Sequence, residues 1–121
     1  IDINPNYDLS YMNMGNAYGY KGNYDKAILY FQKAIDINPN KADIYFNMGI
    51  NYSNKGDSDN AIHYYLKAID INPNLIGAYF NMGIDYTKKG SNEKAIENFQ
   101  KAARLGHKGA QDVLRKNNVG W

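Results

Sequence analysis

One unit of sequence occurs three times in this chain, at a spacing of 34 residues. The triplet Asn-Met-Gly begins at residues 13, 47 and 81, and the triplet Asn-Pro-Asn begins at residues 4, 38 and 72. A unit of this length without strand signals is a pair of helices that cannot bury its apolar face alone, so neighbouring units must stack to form a core. The repeat therefore predicts an all-α solenoid.

Length and composition narrow the classes of partner. The 121 residues hold three units and two ends, and three units are about the minimum for a stable stack. The net charge of +2, with both signs interspersed, gives no electrostatic footprint for nucleic acid. No stretch approaches the roughly 18 apolar residues of a membrane span, and the absence of cysteine excludes disulfides and thiolate chemistry. We expect neither nucleic acid nor a membrane as partner.

The first residues of the chain match the end of a unit. Residues 1–6 have the same sequence as residues 35–40 and 69–74. We therefore expect residues 1–7 to be the end of a truncated preceding repeat, in the carboxyl-terminal part of a longer array. The expected units that follow are residues 8–41, 42–75 and 76–109, with a capping helix and tail over residues 110–121.

The middle unit begins with the pattern of an amphipathic helix. Asn40 is the predicted N-cap of this helix, because an Asn side chain accepts a hydrogen bond from the first turn. Gly56 is its predicted left-handed stop. Between them, large and small residues recur at the three- and four-residue spacing of one helix face: Tyr45, Met48, Gly49 and Tyr52.

A second helix follows in the same unit. Asp57 is its predicted cap, Asp59 places a negative charge in its first turn, and Pro73 ends it. Its predicted inner face consists of Ala61, Tyr65, Ala68 and Ile69.

Glycine occurs at the same position inside each first helix, at Gly15, Gly49 and Gly83. Each costs about 0.5 to 1 kcal/mol relative to alanine, so their recurrence predicts a close approach of the two helices of each unit, backbone against backbone. The aromatic residues that recur around them are predicted to form the core, not a ligand cage: Tyr11, Tyr45, Tyr79, Tyr18, Tyr52, Tyr86, Phe31, Tyr65 and Phe99.

These residues resemble the tetratricopeptide repeat. The run Tyr-x2-Met-Gly-x2-Tyr, followed by Ala, Phe or Tyr, Ala and Pro, is similar to the family pattern W-x2-L-G-x2-Y…A-x3-F…A…P over nearly all of residues 8–105. The resemblance implies a right-handed α-solenoid of three helical hairpins plus a C-terminal capping helix. Residues 103–110 also resemble the junction in Sel1-like repeats, and Ala110, Val113 and Leu114 outline the capping helix.

Two positions depart from the pattern. Asn51 and Asp85 stand where Ala17 shows the small residue usual in this family. Because Lys55 and Lys89 follow four residues later, we interpret both polar residues as solvent-facing members of helix pairs.

No set of residues predicts catalysis. His63 and His107 lie in different units, have no metal-ligand spacing and are expected to be exposed. The serines have no His or Lys at a repeating spacing, as an activated nucleophile would need. The glycines either end a helix or stand inside one at a close contact, so they do not form a phosphate-binding loop. We therefore expect no enzyme activity, no metal and no cofactor.

The resemblance also implies a binding surface. In tetratricopeptide arrays the first helices of successive hairpins line a concave groove, which is the usual ligand surface. Asn13, Asn47 and Asn81 would form a ladder there, similar to the asparagine ladder of O-linked N-acetylglucosamine transferase; alternatively, these amides bridge neighbouring repeats structurally. The candidate peptide-binding residues are Met12, Asn13, Asn16, Phe46, Asn47, Ile50, Phe80, Asn81 and Ile84.

The same face argues against one kind of ligand. Family members that bind the acidic carboxyl termini of chaperones use a two-carboxylate clamp of Lys, Asn, Asn, Lys and Arg. No cation is present at the matching positions of this chain, so such docking is disfavoured. Those positions hold Met12, Asn16, Asn47, Gly77 and Asn81.

The functional hypothesis is a noncatalytic protein–protein interaction module that binds an extended peptide segment of unknown identity in the concave groove. One alternative is a peptide-docking arm of a larger enzyme such as a glycosyltransferase, and another is a self-assembly module. We further expect weak homodimerisation through the amino-terminal edge, because an uncovered apolar edge can close on itself through a two-fold contact. The residues of that edge are Ile1, Ile3, Tyr11, Met14 and Tyr18.

Overall fold

The computed structural model describes residues 7–121, and this part of the chain consists of helices joined by short turns, with no strand. The longest described helices have 14 residues, so none is long enough to cross a bilayer. In chain order the helices are α1 Tyr7–Tyr20, α2 Tyr24–Ile37, α3 Ala42–Lys55, α4 Ser58–Ile71, α5 Ile76–Lys88, α6 Asn92–Arg104 and α7 Lys108–Lys116.

The helices pair as hairpins that stack in sequence. α1 packs with α2, α3 with α4 and α5 with α6, because the short turns between them make antiparallel neighbours. Each hairpin then contacts the next through its second helix, and α7 packs on α6 as a cap. This is the all-α solenoid of three hairpins and a capping helix that the sequence predicts.

Each hairpin turn repeats the same local chemistry. Gly22, Gly56 and Gly90 have φ values of 80°, 94° and 79°, the left-handed conformation in which glycine carries no Cβ penalty. The predicted cap is confirmed at Asp57, whose side chain accepts a hydrogen bond from the backbone N–H of Asn60. The turn and the cap together reverse the chain within a few residues.

The prediction for the start of α3 is wrong. The N-cap of α3 is Lys41, without a side-chain hydrogen bond, and not Asn40. The backbone N–H of Asn40 instead donates to Oδ1 of Asn38 at 3.4 Å, which places Asn40 inside the preceding turn. The hydroxyl of Tyr45 donates to the carbonyl oxygen of Pro39 at 2.8 Å, so a side chain from within the helix holds this turn.

The repeated helical glycines do mark a close approach, but the partner is an aromatic ring and not a backbone. A Cβ atom added to Gly15, Gly49 or Gly83 would lie 2.7, 2.5 or 2.6 Å from a ring carbon of the second helix. The rings belong to Phe31, Tyr65 and Phe99, all buried as predicted. Each glycine therefore makes room for one large core side chain.

The other predicted core aromatics divide into two groups. Tyr45 and Tyr79 are buried, whereas Tyr11, Tyr18, Tyr52 and Tyr86 are half-buried. Most of these tyrosines stack on a second tyrosine, Tyr30 or Tyr64, and lysine side chains lie over their outer faces.

The interpretation of Asn51 and Asp85 as solvent-facing is wrong. Asn51 is 6% exposed and Asp85 is fully buried, because both lie on the face of the first helix that packs against the preceding hairpin. The lysines that were expected to pair with them bind acidic residues of the preceding hairpin instead. Lys55 binds Asp25 at 2.6 Å, and Lys89 binds Asp59.

The proposed dimer edge is only partly described. Ile1 and Ile3 lie outside the described residues, and of the others Met14 is exposed while Tyr11 and Tyr18 are half-buried. Dimerisation through this edge stays a prediction.

Candidate functional site

The candidate peptide-binding residues line one face of the solenoid, contributed by α1, α3 and α5. Asn13 is exposed and the other eight are half-buried, so each has one side in the protein and one in solvent. The structure brings most of them together in two pockets at the boundaries between hairpins: Asn16, Asn47 and Ile50 at the first boundary, and Ile50, Asn81 and Ile84 at the second.

The two pockets are built from equivalent residues of successive repeats. The first boundary pocket, of about 140 Å³, includes Asn16, Gly19, Tyr20, Asn47, Ile50, Asn51 and Asn54. The second boundary pocket, of about 270 Å³, has the residue 34 positions later at each of these places: Ile50, Ser53, Asn54, Asn81, Ile84, Asp85 and Lys88. Pockets therefore recur on this surface with the period of the repeat.

A buried carboxylate forms the floor of the second boundary pocket. Oδ1 of Asp85 accepts hydrogen bonds from the hydroxyls of Ser53 at 2.9 Å and Ser58 at 2.8 Å. Its Oδ2 has no hydrogen-bond partner among the described residues. Burial raises the pKa of Tyr65 well above its usual range, the Asp85 charge raises it further, and a hydrogen bond with Asn81 acts in the opposite direction.

The first boundary pocket has an amide in the same place. Nδ2 of Asn51 donates to the carbonyl oxygen of Asn47 at 2.8 Å, one turn earlier in the same helix. Oδ1 of Asn51 is buried against Gly19 and accepts no hydrogen bond from the described part of the chain. Both unsatisfied oxygens are themselves buried, so they lie beneath the pocket floors and are not exposed to a ligand.

The three ladder asparagines are not equivalent in the structure. Asn13 is exposed, and neither its amide nor that of Asn47 makes a side-chain hydrogen bond within residues 7–121. Asn81 interacts with the hydroxyl of Tyr65, and the corresponding ring below Asn47 is Phe31, which has no hydroxyl. Asn47 is therefore the more available of the two half-buried amides.

The two groove phenylalanines extend toward the next repeat. Phe46 packs on Tyr65 with ring centroids 5.8 Å apart, and its ring tip would lie 3.0 Å from a Cβ added to Gly77. Phe80 stacks on His107 at 4.1 Å between ring centroids. Only the outer faces of these phenylalanines remain for a ligand.

The predicted exposure of the histidines is right for His63 and wrong for His107. His107 is half-buried because its ring stacks on Phe80 and its Nδ1 accepts a hydrogen bond from the backbone N–H of Ala110 at 3.0 Å, capping α7. Among residues 7–121, no group of three His, Cys, Asp or Glu side chains is placed to hold a metal ion.

Sequence reasoning missed the residues beneath the groove: Ser53, Ser58, Asp85 and His107. A signal for three of them was present. Asp85 stands at a position where the family usually has a small residue, and Ser53 and Ser58 precede it by 32 and 27 residues, a separation that brings them to the same hairpin boundary. Nothing in the linear pattern marked His107 as a cap.

Comparisons with known proteins agree with this architecture. The sequence model of the tetratricopeptide repeat matches residues 9–41 and 42–75, and that of the Sel1 repeat matches residues 74–107. No curated protein sequence matched the chain. The third hairpin and its junction with α7 thus carry the Sel1-like character expected for residues 103–110.

Solved structures share the fold. The first tetratricopeptide domain of Spaghetti (RPAP3) bound to the HSP90 peptide SRMEEVD superposes with a TM-score of 0.87 at 24% identity, covering 96% of this chain and 94% of that one. The tetratricopeptide domain of Arabidopsis OM64 gives 0.84 at 23% identity, with coverages of 92% and 96%. MamA gives 0.81 at 33% identity over 89% of this chain, which spans 63% of the MamA chain.

The match of the repeat model extends over more than half of the chain, through the first two hairpins, and the boundary pockets recur with the same period. By sequence and by architecture, this chain belongs to the tetratricopeptide repeat family.

Proposed function

We propose that this protein is a noncatalytic interaction module whose concave groove binds an extended peptide segment of a partner protein. The observation that carries this proposal is the pair of equivalent pockets at successive hairpin boundaries. Units 8–41, 42–75 and 76–109 are the proposed repeats that generate them. A peptide in extended conformation offers side chains and backbone amides at regular spacing, which suits a surface with regularly spaced pockets.

The chemistry of the groove favours an extended, largely uncharged peptide. The half-buried amide of Asn47 can both donate to and accept from a peptide backbone. A hydrogen bond contributes about 0.5 to 1.5 kcal/mol net, so a few amides alone do not offset the cost of association. The exposed sides of Ile50 and Ile84 supply apolar area to offset it, at about 25 cal/mol per Å² buried.

This preference differs from the ligand in the RPAP3 structure. That peptide, SRMEEVD, ends in acidic residues. None of the five clamp-matching positions in this chain is a cation, and Lys88 is the basic residue that lines the second boundary pocket. A single lysine cannot neutralise both the side-chain and the terminal carboxylate of such a peptide.

The test uses two variants of the groove and two forms of each peptide. Peptides selected from a display library against the whole chain are measured by fluorescence anisotropy with free and with amidated carboxyl termini. Asn47→Ala is expected to weaken binding about tenfold, the effect of one lost hydrogen bond, with less than about 1 kcal/mol change in unfolding free energy. Amidation is expected to leave affinity unchanged.

Ser10→Ala, at an exposed position of α1 outside both pockets, is the matched control and should bind as the parent does. If Asn47→Ala leaves affinity intact, the ladder amide is structural. A strong preference for free acidic carboxyl termini would contradict the proposed ligand class.

A further inference from the structure

The two boundary pockets are built from equivalent residues but differ in charge. Uncharged residues alone line the first boundary pocket, among them Asn51 and Asn54. The residues 34 positions later, Asp85 and Lys88, are both charged, and both line the second boundary pocket. A peptide that crosses the two pockets therefore meets charged groups of the protein in one of them only.

Of these two residues, Lys88 carries the charge that a ligand can reach. Asp85 is fully buried: its Oδ1 accepts hydrogen bonds from the hydroxyls of Ser53 and Ser58, and its Oδ2 is covered by protein atoms. Lys88 lies in the last turn of α5 and is exposed. The accessible charge of the second boundary pocket is therefore positive.

The charge of Lys88 is not used inside the molecule. Three lysines lie together beside this boundary, Lys55, Lys88 and Lys89. Lys55 binds Asp25 and Lys89 binds Asp59, so each of these two has a carboxylate of the preceding hairpin as its partner. No carboxylate within residues 7–121 forms an ion pair with Lys88. Its ammonium group is available to a carboxylate of a ligand.

We infer that the second boundary pocket binds an aspartate or glutamate side chain of the peptide against Lys88, and that the first boundary pocket binds an uncharged side chain. This inference rests on the proposed function, because it specifies which residues the groove selects in its peptide. The carboxylate belongs to a side chain and not to the chain end, since the clamp-matching positions that would hold a terminal carboxylate contain no cation.

A cationic side chain fits the second boundary pocket less well. Two hydroxyl hydrogen bonds already stabilise the charge of Asp85, and its covered oxygens cannot accept a hydrogen bond from a ligand. A ligand cation would instead lie beside the exposed ammonium group of Lys88, where like charges repel. The sign of the accessible charge thus selects a carboxylate.

The expected preference is modest and has a defined spacing. One exposed ion pair changes affinity by at most about fivefold. Neighbouring helices pack with their axes about 10 Å apart, and an extended chain advances about 3.3 Å per residue, so successive boundary pockets lie about three residues apart along a peptide. The groove should therefore select an acidic residue about three positions from an uncharged one.

The test begins with two selections from one phage library of random peptides, in which the coat protein follows each peptide so that no free carboxyl terminus is offered. Peptides selected by the whole parent chain should be enriched in Asp or Glu at one position. Peptides selected by Lys88→Glu should be enriched in Lys or Arg at that position, because the accessible charge is reversed. Lys88 is exposed, so this variant should fold as the parent does, which circular dichroism checks.

A selected peptide and its Glu→Gln form are then compared by fluorescence anisotropy, both with amidated carboxyl termini. The Glu→Gln change should weaken binding to the parent chain about threefold to fivefold. It should leave binding to Lys88→Asn unchanged, because the ion pair is then already absent. Lys116→Asn is the matched control: it removes an exposed lysine outside both pockets and should bind both peptides as the parent does.

The outcomes separate this inference from the proposed function. Peptides that Asn47→Ala weakens but that carry no enriched acidic position would retain the groove proposal and overturn the inference alone. An acidic preference that Lys88→Glu retains, or enrichment of Lys or Arg by the parent chain, would overturn it as well. Peptides that neither Asn47→Ala nor Lys88→Asn weakens would overturn both proposals.

Discussion

Asn51 and Asp85 occupy the same position in successive repeats, yet only Asp85 accepts hydrogen bonds from the neighbouring hairpin. Both are buried where a first helix packs on the preceding hairpin. Asp85 receives two hydroxyl hydrogen bonds across the boundary, from Ser53 and Ser58. Asn51 receives none there, and its amide turns back to the carbonyl oxygen of Asn47 in its own helix.

The cause of the difference lies in the preceding hairpin. At the positions of Ser53 and Ser58, the first hairpin has Gly19 and Tyr24, and a glycine has no side chain with which to donate. A buried charge is tolerated only where hydrogen bonds satisfy it, whereas a neutral amide with one unsatisfied oxygen costs less. The two boundaries therefore share a fold and differ in the polar contacts that join their hairpins.

The largest expected effect comes from removing the donors of Asp85. The double variant Ser53→Ala, Ser58→Ala leaves a buried carboxylate without hydrogen bonds, which should lower the unfolding free energy by about 3 to 5 kcal/mol. Urea unfolding followed by circular dichroism measures this. The matched control is Thr87→Ala, Asn92→Ala, at the same two repeat positions one unit later, where no carboxylate depends on them; it should cost less than about 1 kcal/mol.

Adding Asp85→Ala to the serine double variant should recover part of the loss, because the unsatisfied charge is then gone. Non-additivity of this kind is expected for groups in one hydrogen-bonded network. A serine double variant that loses no more stability than its control would contradict the assigned role of these hydroxyls.

A smaller effect is expected at the first boundary. Asn51→Ala places there the alanine that position 17 has in the first repeat, and it removes an acceptor that has no donor. The gain in helix propensity and the removal of the unsatisfied oxygen offset the lost packing, so the unfolding free energy should stay within about 1 kcal/mol of the parent. A loss above about 2 kcal/mol in the same urea experiment would show that Asn51 has a donor in solution, such as an ordered water.

The smallest effect at neutral pH is expected from Tyr65→Phe, since phenylalanine already occupies this position in the first and third repeats. The pKa of Tyr65 is raised in the folded chain by burial and by Asp85, so its neutral phenol favours the folded state. This contribution is present below the unfolded pKa of about 10 and is lost as pH rises above it. Stability should therefore decline less steeply above pH 10 in Tyr65→Phe.

Urea unfolding at a series of pH values from neutral to alkaline measures that slope in the parent and in the variant. Equal slopes would mean that Tyr65 ionises in the folded chain as readily as in the unfolded one. The Asp85→Ala variant separates the effect of the Asp85 charge from the effect of burial. Because burial of Tyr65 remains in this variant, removal of the carboxylate should reduce the slope only in part.

Much of the fold was predictable because it depends on local and periodic signals. Gly56 and Asp57 mark the turn and cap by their own conformational preferences, and the 34-residue spacing requires stacking. The two errors at helix faces have one physical origin. Asn51 and Asp85 were paired with Lys55 and Lys89 within one helix, since a sequence shows neighbours four residues apart directly, but the structure pairs both lysines across a hairpin boundary.

The candidate site was predictable as a surface and not as a set of pockets. The family pattern predicted Asn47, Ile50 and Asn81 as groove residues, and in the structure they line two pockets at hairpin boundaries; their role in binding stays a prediction. The different availability of Asn47 and Asn81 depends on whether the ring beneath is Phe31 or Tyr65, a contact that no spacing within one helix reveals.

The sequence by itself determined the class of fold, the number of hairpins and the turns between them, because periodicity and turn chemistry act over a few residues. Only the tertiary structure decided which polar groups meet across hairpin boundaries and which apolar side chains stay partly exposed to solvent. Ile62 and Ile96 have equivalent places in the repeat, yet Ile62 is 5% exposed and Ile96 is 36% exposed. Such differences depend on contacts between residues far apart in the chain, whose geometry is set by the packing of whole helices.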